Sequence, residues 1–295
     1  MRFNSNILYL LVVFLLSSCL KEYQVDLKGQ NILSLNSEIK PDDTIKALIT
    51  LPKKPDWYGD FVTPANAKVF LLEDGVFFDS LYYKPDVEGQ HGIYISKKFP
   101  KEDKLYTIHV SVDGFTSIQA TQKIFEKPKI SNVTFNKYLQ LEPTQDTIWM
   151  QVNLLPTNEI TRFFTFNIAV YAEWWERNDQ GLYEIKSGYF PVELINSEEI
   201  FRDMYWEWSL PPITNNIVKV PIILPERSTL PNQIKNAQLT FTISEIPEDG
   251  HKYRVDYYNR YKDNYGENRI IFSNIENGLG IFTSKSTTYH NIPFQ

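Results

Sequence analysis

The residues best suited to chemistry stand at the amino end. Arg2 is followed by an unbroken apolar run, Ile7–Leu16, that ends in Leu16-Ser17-Ser18-Cys19. A positive residue, a short apolar stretch and small residues before a cut site make a secretory signal. With a cysteine directly after the small pair, residues 1–18 match the bacterial lipoprotein signal. In that motif the thiol takes a diacylglycerol, the chain is cut before the cysteine, and the new amino group is acylated. Several acyl chains are used because each buried methylene contributes about 0.8 kcal/mol, and one chain alone holds only marginally. The run is too short to span a bilayer, which takes about 20 apolar residues. Cys19 is the only cysteine of the 295 residues. Its lipidation therefore leaves no thiol for catalysis, no intrachain disulfide and no multi-cysteine metal site.

Other chemistry is sparse. His91, His109, His251 and His290 are scattered, with no His-x-x-x-His pair to grip zinc. No Gly-x-Ser-x-Gly nucleophile turn occurs. The oxygen-rich Asp263-Asn264-Tyr265-Gly266-Glu267 lacks the twelve-residue calcium loop and reads as a helix C-cap. No catalytic residue, metal or cofactor is expected. Asp43-Thr44-Ile45, Asp79-Ser80-Leu81 and Asp146-Thr147-Ile148 fit an Asp-(Ser/Thr)-aliphatic pattern of bacterial O-glycosylation, which would fall on Thr44, Ser80 and Thr147. Aromatics make up 15% of the chain. Trp206 and Trp208 would share a strand face, and Trp174 and Trp175 sit near a strand end, as does Trp57-Tyr58. Such rings fill β cores, anchor protein interfaces or stack on sugars. Trp206, Trp208, Trp174 and Trp175 are the candidate ligand or partner surface.

The elements that must position these residues are strands. Short alternating runs broken by Gly, Pro, Asn and Asp dominate, with few stretches of helical period. A first group covers residues 44–51, 67–72, 76–80, 92–96, 105–112 and 116–121, enough for a small antiparallel sandwich over 40–126. Residues 19–39 read as a lipidated polar tether and 123–129 as a linker broken by Pro128. A second, larger β domain is expected over 129–295. Helices are expected near 197–205, capped by Ser197, and near 250–264, where Tyr253, Tyr257 and Tyr261 would lie on a sheet. The fold class is all-β. Net charge is −6 with a pI near 5.4. Cutting before Cys19 removes Arg2 and no acid, leaving −7 on 277 residues. That balance argues against nucleic acid and against anionic lipid as partners of the folded body.

The C-terminal residues carry a family resemblance. Leu239–Glu245 (LTFTISE), the tyrosine-rich helix and the phrase Ser273-Asn274-Ile275-Glu276-Asn277-Gly278-Leu279-Gly280-Ile281-Phe282 resemble the Bacteroidota outer-membrane lipoproteins grouped as domain of unknown function 4249. Ala67–Asp74 and Tyr106–Phe115 fit strands of the same family, whereas Pro191–Pro225 departs from it. Within the phrase, Asn277-Gly278 suits a type I′ hairpin turn with positive φ at both residues. The resemblance implies an N-terminal Ig-like or transthyretin-like sandwich and a larger C-terminal β-sandwich. It also implies attachment to the outer membrane beside a TonB-dependent, SusC-like transporter, in ligand capture or complex stabilisation. No catalytic residue comes with it. Two other readings stay open: a stand-alone glycan- or peptide-binding surface lipoprotein, and a structural or assembly lipoprotein without a small ligand. Surface display is expected over a periplasmic-facing orientation, although Lys21-Glu22 is only a fragment of an acidic export signal.

Overall fold

A computed structural model describes residues 32–52, 61–86, 92–136, 147–195, 197, 199–203, 207–225, 229–262 and 271–294. Cys19, Trp57, Tyr58, Trp206 and the 263–267 stretch lie outside them. The strands, in chain order, are β1 (Ser34–Ile39), β2 (Lys46–Thr50), β3 (Lys68–Glu73), β4 (Val76–Pro85), β5 (Gly92–Ile95), β6 (Lys104–Ser111) and β7 (Ile118–Ile124). There follow β8 (Ile130–Phe135), β9 (Ile148–Leu154), β10 (Phe163–Arg177), β11 (Tyr183–Pro191), β12 (Glu193–Leu194), β13 (Phe201–Arg202) and β14 (Trp208–Ser209). The last are β15 (Ile217–Ile223), β16 (Ile234–Ile246), β17 (Leu279–Ser284) and β18 (Ser286–Pro293), with helix α1 (Glu248–Lys262) before β17.

Alternation makes most of these strands. In β6, Tyr106, Ile108 and Val110 point inward while Thr107 and His109 point out. Strands of this kind form an eight-stranded path in the order β17-β1-β2-β5-β4-β3-β6-β7. The path bends back on itself, because Glu276 N donates to Gln119 O at 2.8 Å and Ser284 Oγ to Lys123 O at 2.6 Å, which brings the β17 end against β7. It encloses a first core that includes Leu35, Ile49, Leu71, Tyr106 and Phe282. The second sandwich stacks the β13-β14-β10-β16-β18 sheet, with β11 also on β10, against β12-β15-β9-β8. Phe166, Val170, Phe241, Met150 and Val220 are among the side chains of its core. Each fully buried Leu, Ile or Phe contributes about 1.5–3 kcal/mol, so two cores of this size sustain two sandwiches.

Three expectations are corrected. Residues 34–39, read as part of the tether, form β1. Leu35, Ser37 and Ile39 are buried, and the polar Ser, Asn and Glu residues of the strand conceal the alternation. The first sandwich does not close within 40–126 either. It takes β17 as the parallel partner of β1, with Ser34 opposite Leu279 through Ile39 opposite Ser284, and residues 31–295 form a single compact unit. Parallel neighbours need long connections, and here the connection is most of the chain. Lastly, the described residues of 197–205 hold no helix. Ser197 Oγ accepts from Ile200 N at 3.0 Å, closing a local turn, and Phe201 then enters β13 and stacks on Tyr258 at 4.4 Å.

The Asn277-Gly278 turn also differs from expectation. Asn277 has φ 58°, but Gly278 lacks a positive φ, and the flanking segments pair with different strands rather than with each other. The glycines are needed for closeness. A Cβ at Gly278 would meet Ile118 at 2.9 Å and Leu33 O at 3.0 Å, and one at Gly280, where φ is 103°, would fall on Leu35 O. Asn274 acts as a short piece of strand: its Oδ1 accepts from Phe282 N at 2.9 Å and its Nδ2 donates to Phe282 O at 2.7 Å. The phrase is a clasp that threads β17 beside β1.

Candidate binding surface

β10 is long enough, at fifteen residues, to outrun the core it covers. Its even-numbered residues Phe164, Phe166, Ile168 and Val170 enter the core, and beyond them the odd-numbered Tyr171, Glu173 and Trp175 lie on the other face. Pairing with β11 sets Tyr171 opposite Tyr189, Glu173 opposite Ser187, Trp175 opposite Ile185 and Arg177 opposite Tyr183. On the other side, β16 sets Gln238 opposite Tyr171, and β18 sets Pro293 opposite Gln238. Rows two residues apart on one face lie about 7 Å apart. The outer face is thus a ladder of rings separated by amide, hydroxyl and carboxylate groups. Tyr171 and Tyr189 have centroids 5.2 Å apart, Tyr171 OH lies 3.2 Å from Glu173 Oε1, and Lys235 Nζ is 5.8 Å from the Trp175 ring centre.

Tyr189 is 70% exposed, Tyr183 61%, Ile185 45% and Trp175 43%. Folding leaves this much apolar area on one strand pair uncovered, and contiguous exposed patches mark interaction surfaces.

The candidate tryptophans therefore separate. Trp175 stands on the open face. Trp174, one residue earlier, turns to the opposite side, where its ring meets Phe190 edge-on at 5.8 Å and covers Gly188. Trp208 is a core residue, 9% exposed, opposite Phe166, with the Arg202 guanidinium 6.0 Å from its ring. The structure does not bring Trp174, Trp175 and Trp208 together. The tyrosines Tyr171, Tyr183 and Tyr189 went unnoticed in the sequence although their spacing on β10 and β11 was readable. What was missing was the register that sets the two strands side by side. Of the glycosylation positions, Ser80 is exposed on β4, whereas Thr44 and Thr147 are half-buried.

A second feature joins the two sandwiches. Arg254 of α1, 2% exposed, donates to Asp203 and, at 3.0 Å, to Glu38 on β1; Glu207 Oε2 is 3.6 Å away and Lys285 pairs with Glu207. Burial raises the Asp203 carboxyl despite the nearby Arg254 charge. At Glu38 burial acts the same way, but Lys285, Arg254 and Lys40 outweigh it and hold that carboxyl below its usual range. At Arg254 burial works against the charged form, but the Asp203 and Glu38 charges outweigh it and leave the guanidinium more firmly protonated than usual. The fully buried side chain of α1 is therefore Arg254 rather than a tyrosine of the Tyr253-Tyr257-Tyr261 stripe. Its buried residues are Gly250 and Arg254, Tyr253, Tyr257 and Tyr258 are half-buried, and Tyr261 is 61% exposed. An equally buried pair, Arg162 with Glu245 (Nε to Oε1 3.0 Å, Nη2 to Oε2 2.6 Å), ties the residue just before β10 to β16. Clefts of 670 Å³, beside Lys40 and Lys285, and 640 Å³, beside Phe77 and Phe99, are both open and shallow. Among the described residues no group of three or more His, Cys, Asp or Glu is placed to hold a metal, and no helix is long and apolar enough to cross a membrane.

Similar solved structures include the adhesin InvE of Yersinia pseudotuberculosis, 13% identical with a TM-score of 0.27 over 90% of this chain and 61% of that one. The chain thus spans less than two thirds of the adhesin's length. The D0-D1 domain of intimin is 12% identical with a TM-score of 0.20 over 72% of this chain and 88% of that one. A β-glycosidase from Bacteroides vulgatus is 13% identical, with a TM-score of 0.20, over 72% of this chain and 23% of that one. No curated protein matches the sequence. The family model described as "Domain of unknown function (DUF4249)" matches residues 21–290, and the chain belongs to that family.

Proposed function

We propose that this is a lipid-anchored accessory protein of the outer membrane that works beside a TonB-dependent transporter, docking on it through the outer face of β10 and β11. The observation that carries the reading is the ring ladder Tyr171, Trp175, Tyr183 and Tyr189, left open on a sheet whose other face is core. Aromatic side chains of this kind are the residues that dominate protein interfaces. The Leu16–Cys19 lipobox supplies the attachment and the acidic body keeps the protein off anionic lipid. The role calls for no catalytic residue, metal or cofactor. Affinity purification of tagged protein from detergent-solubilised outer membrane tests it. Wild type should carry a transporter, and Trp175→Ala/Tyr189→Ala should lose it; a wild type that recovers none sinks the reading.

A second reading is favoured by one detail. Tyr171 and Tyr189 form a ring pair flanked by Gln238 and Glu173, which can donate and accept hydrogen bonds beside a stacked sugar. Under that reading, protein beginning at residue 32 binds glycans on an array without any transporter.

A further inference from the structure

We infer that the end of the first sandwich where the chain enters the fold rests on the lipid surface, with Phe61, Val62 and Leu279 dipping into the interfacial layer. The inference rests on the lipid anchor at Cys19 and adds which part of the folded body meets the bilayer.

Backbone pairing places Val62, with Phe61 beside it in sequence, and Leu279 at the same end of the sandwich. Leu279 N donates to Leu33 O at 3.0 Å, Ser34 stands opposite Thr50 across β1 and β2, and Leu51 N donates to Val62 O at 3.0 Å. Leu279, Leu33, Leu51 and Val62 thus follow one another across neighbouring chain segments. Leu33 is buried, but Phe61, Val62 and Leu279 are 58%, 51% and 52% exposed. Water gains nothing from three large apolar groups around one backbone entry point, whereas an interfacial lipid layer takes them readily.

Connectivity chooses the occupant. From Cys19 through Ile32 is fourteen residues, which reach at most about 45 Å, and they join the fold at this end. β1 and its parallel partner β17 then both run away from it for six residues, about 20 Å. The second sandwich begins at their far end, where Ser286 Oγ donates to Phe125 O at 2.6 Å in the linker. The ring ladder on β10 and β11 is consequently held off the bilayer by the length of the first sandwich, where a protein partner can reach it. Glu276, three residues before Leu279, is held by Gln119 Nε2 at 2.6 Å.

The test uses the full acylated chain. Its one native thiol is consumed by lipid, so an introduced cysteine is the only site a nitroxide label can take. Val62→Cys, Leu279→Cys and, as a distal control, Tyr189→Cys are labelled and reconstituted in phosphatidylcholine vesicles. Collisions with oxygen, which concentrates in lipid, are compared with those of a water-soluble nickel chelate. Labels at 62 and 279 should favour oxygen several-fold over the label at 189. Labels at 62 and 279 as water-exposed as the one at 189, on a chain whose intact mass shows the acyl groups, overturn the inference alone. An intact mass without acyl groups overturns the anchor and the inference with it.

Discussion

Arg254 donates from Nη2 to Glu38 Oε2 at 3.0 Å, across 216 residues of sequence. One partner lies on the first strand of the first sandwich and the other on the helix that follows β16 of the second. Together with Asp203, Glu207 and Lys285 they make a buried charge cluster at the seam. Removing one member of such a cluster leaves the others charged in a low dielectric, which costs about 3–5 kcal/mol. Arg254→Met is expected to lower the urea midpoint accordingly. Arg254→Met with Asp203→Leu should recover part of the loss, and a double variant no better than the single one would show that the two do not act as a pair.

Gly280 bears a second load. Its φ of 103° and the Leu35 carbonyl facing it leave no room for a side chain. Gly280→Val is expected to cost about 3 kcal/mol through backbone strain and lost β1–β17 pairing. Hydrogen exchange at residues 34–39 should rise more than exchange in β16. Uniform protection in both would mean that β17 is not what holds β1.

The tryptophans should part company in the same assay. Trp208→Ala opens a cavity in the second core and is expected to cost about 3–5 kcal/mol. Trp175→Ala, on an open face, should change stability by no more than about 0.5 kcal/mol. Chemical denaturation of both variants decides it; comparable losses would place Trp175 in a packed environment.

His251 gives a pH dependence. Burial, reinforced by the Arg254 charge, lowers its pKa below the ordinary 6.5, and its Nδ1 finds no hydrogen-bond partner among the described residues. The unfolded chain therefore holds the proton more readily than the native one. The contribution is present above pH 6.5 and is lost as pH falls through the lowered folded value. Melting temperature should drop between pH 7.5 and 5.5, and His251→Phe, which keeps the ring against Phe163, should flatten that slope. Glu38, also lowered, adds a second loss only below about pH 4.5. An unaltered slope in His251→Phe would assign the effect elsewhere.

How much of this was readable beforehand follows from where the information resides. The all-β class, most strand positions, the linker near residue 128 and the helix near 250 were legible, because alternation, turn residues and capping act between neighbours in sequence. The family phrase was legible as a local string too. What escaped depended on distant pairing. β1 hides behind Ser, Asn and Glu until β17 arrives 245 residues later to bury Leu35 and Ile39. Ser197 caps a turn rather than a helix because Phe201 finds Tyr258. Trp174 and Trp175 look alike in sequence, and only the register of β10 with β11 sends one ring to Phe190 and the other to solvent. Composition and periodicity decide what kind of element forms; which face of it remains open is decided by the partner it packs against, and that partner is supplied by the tertiary structure alone.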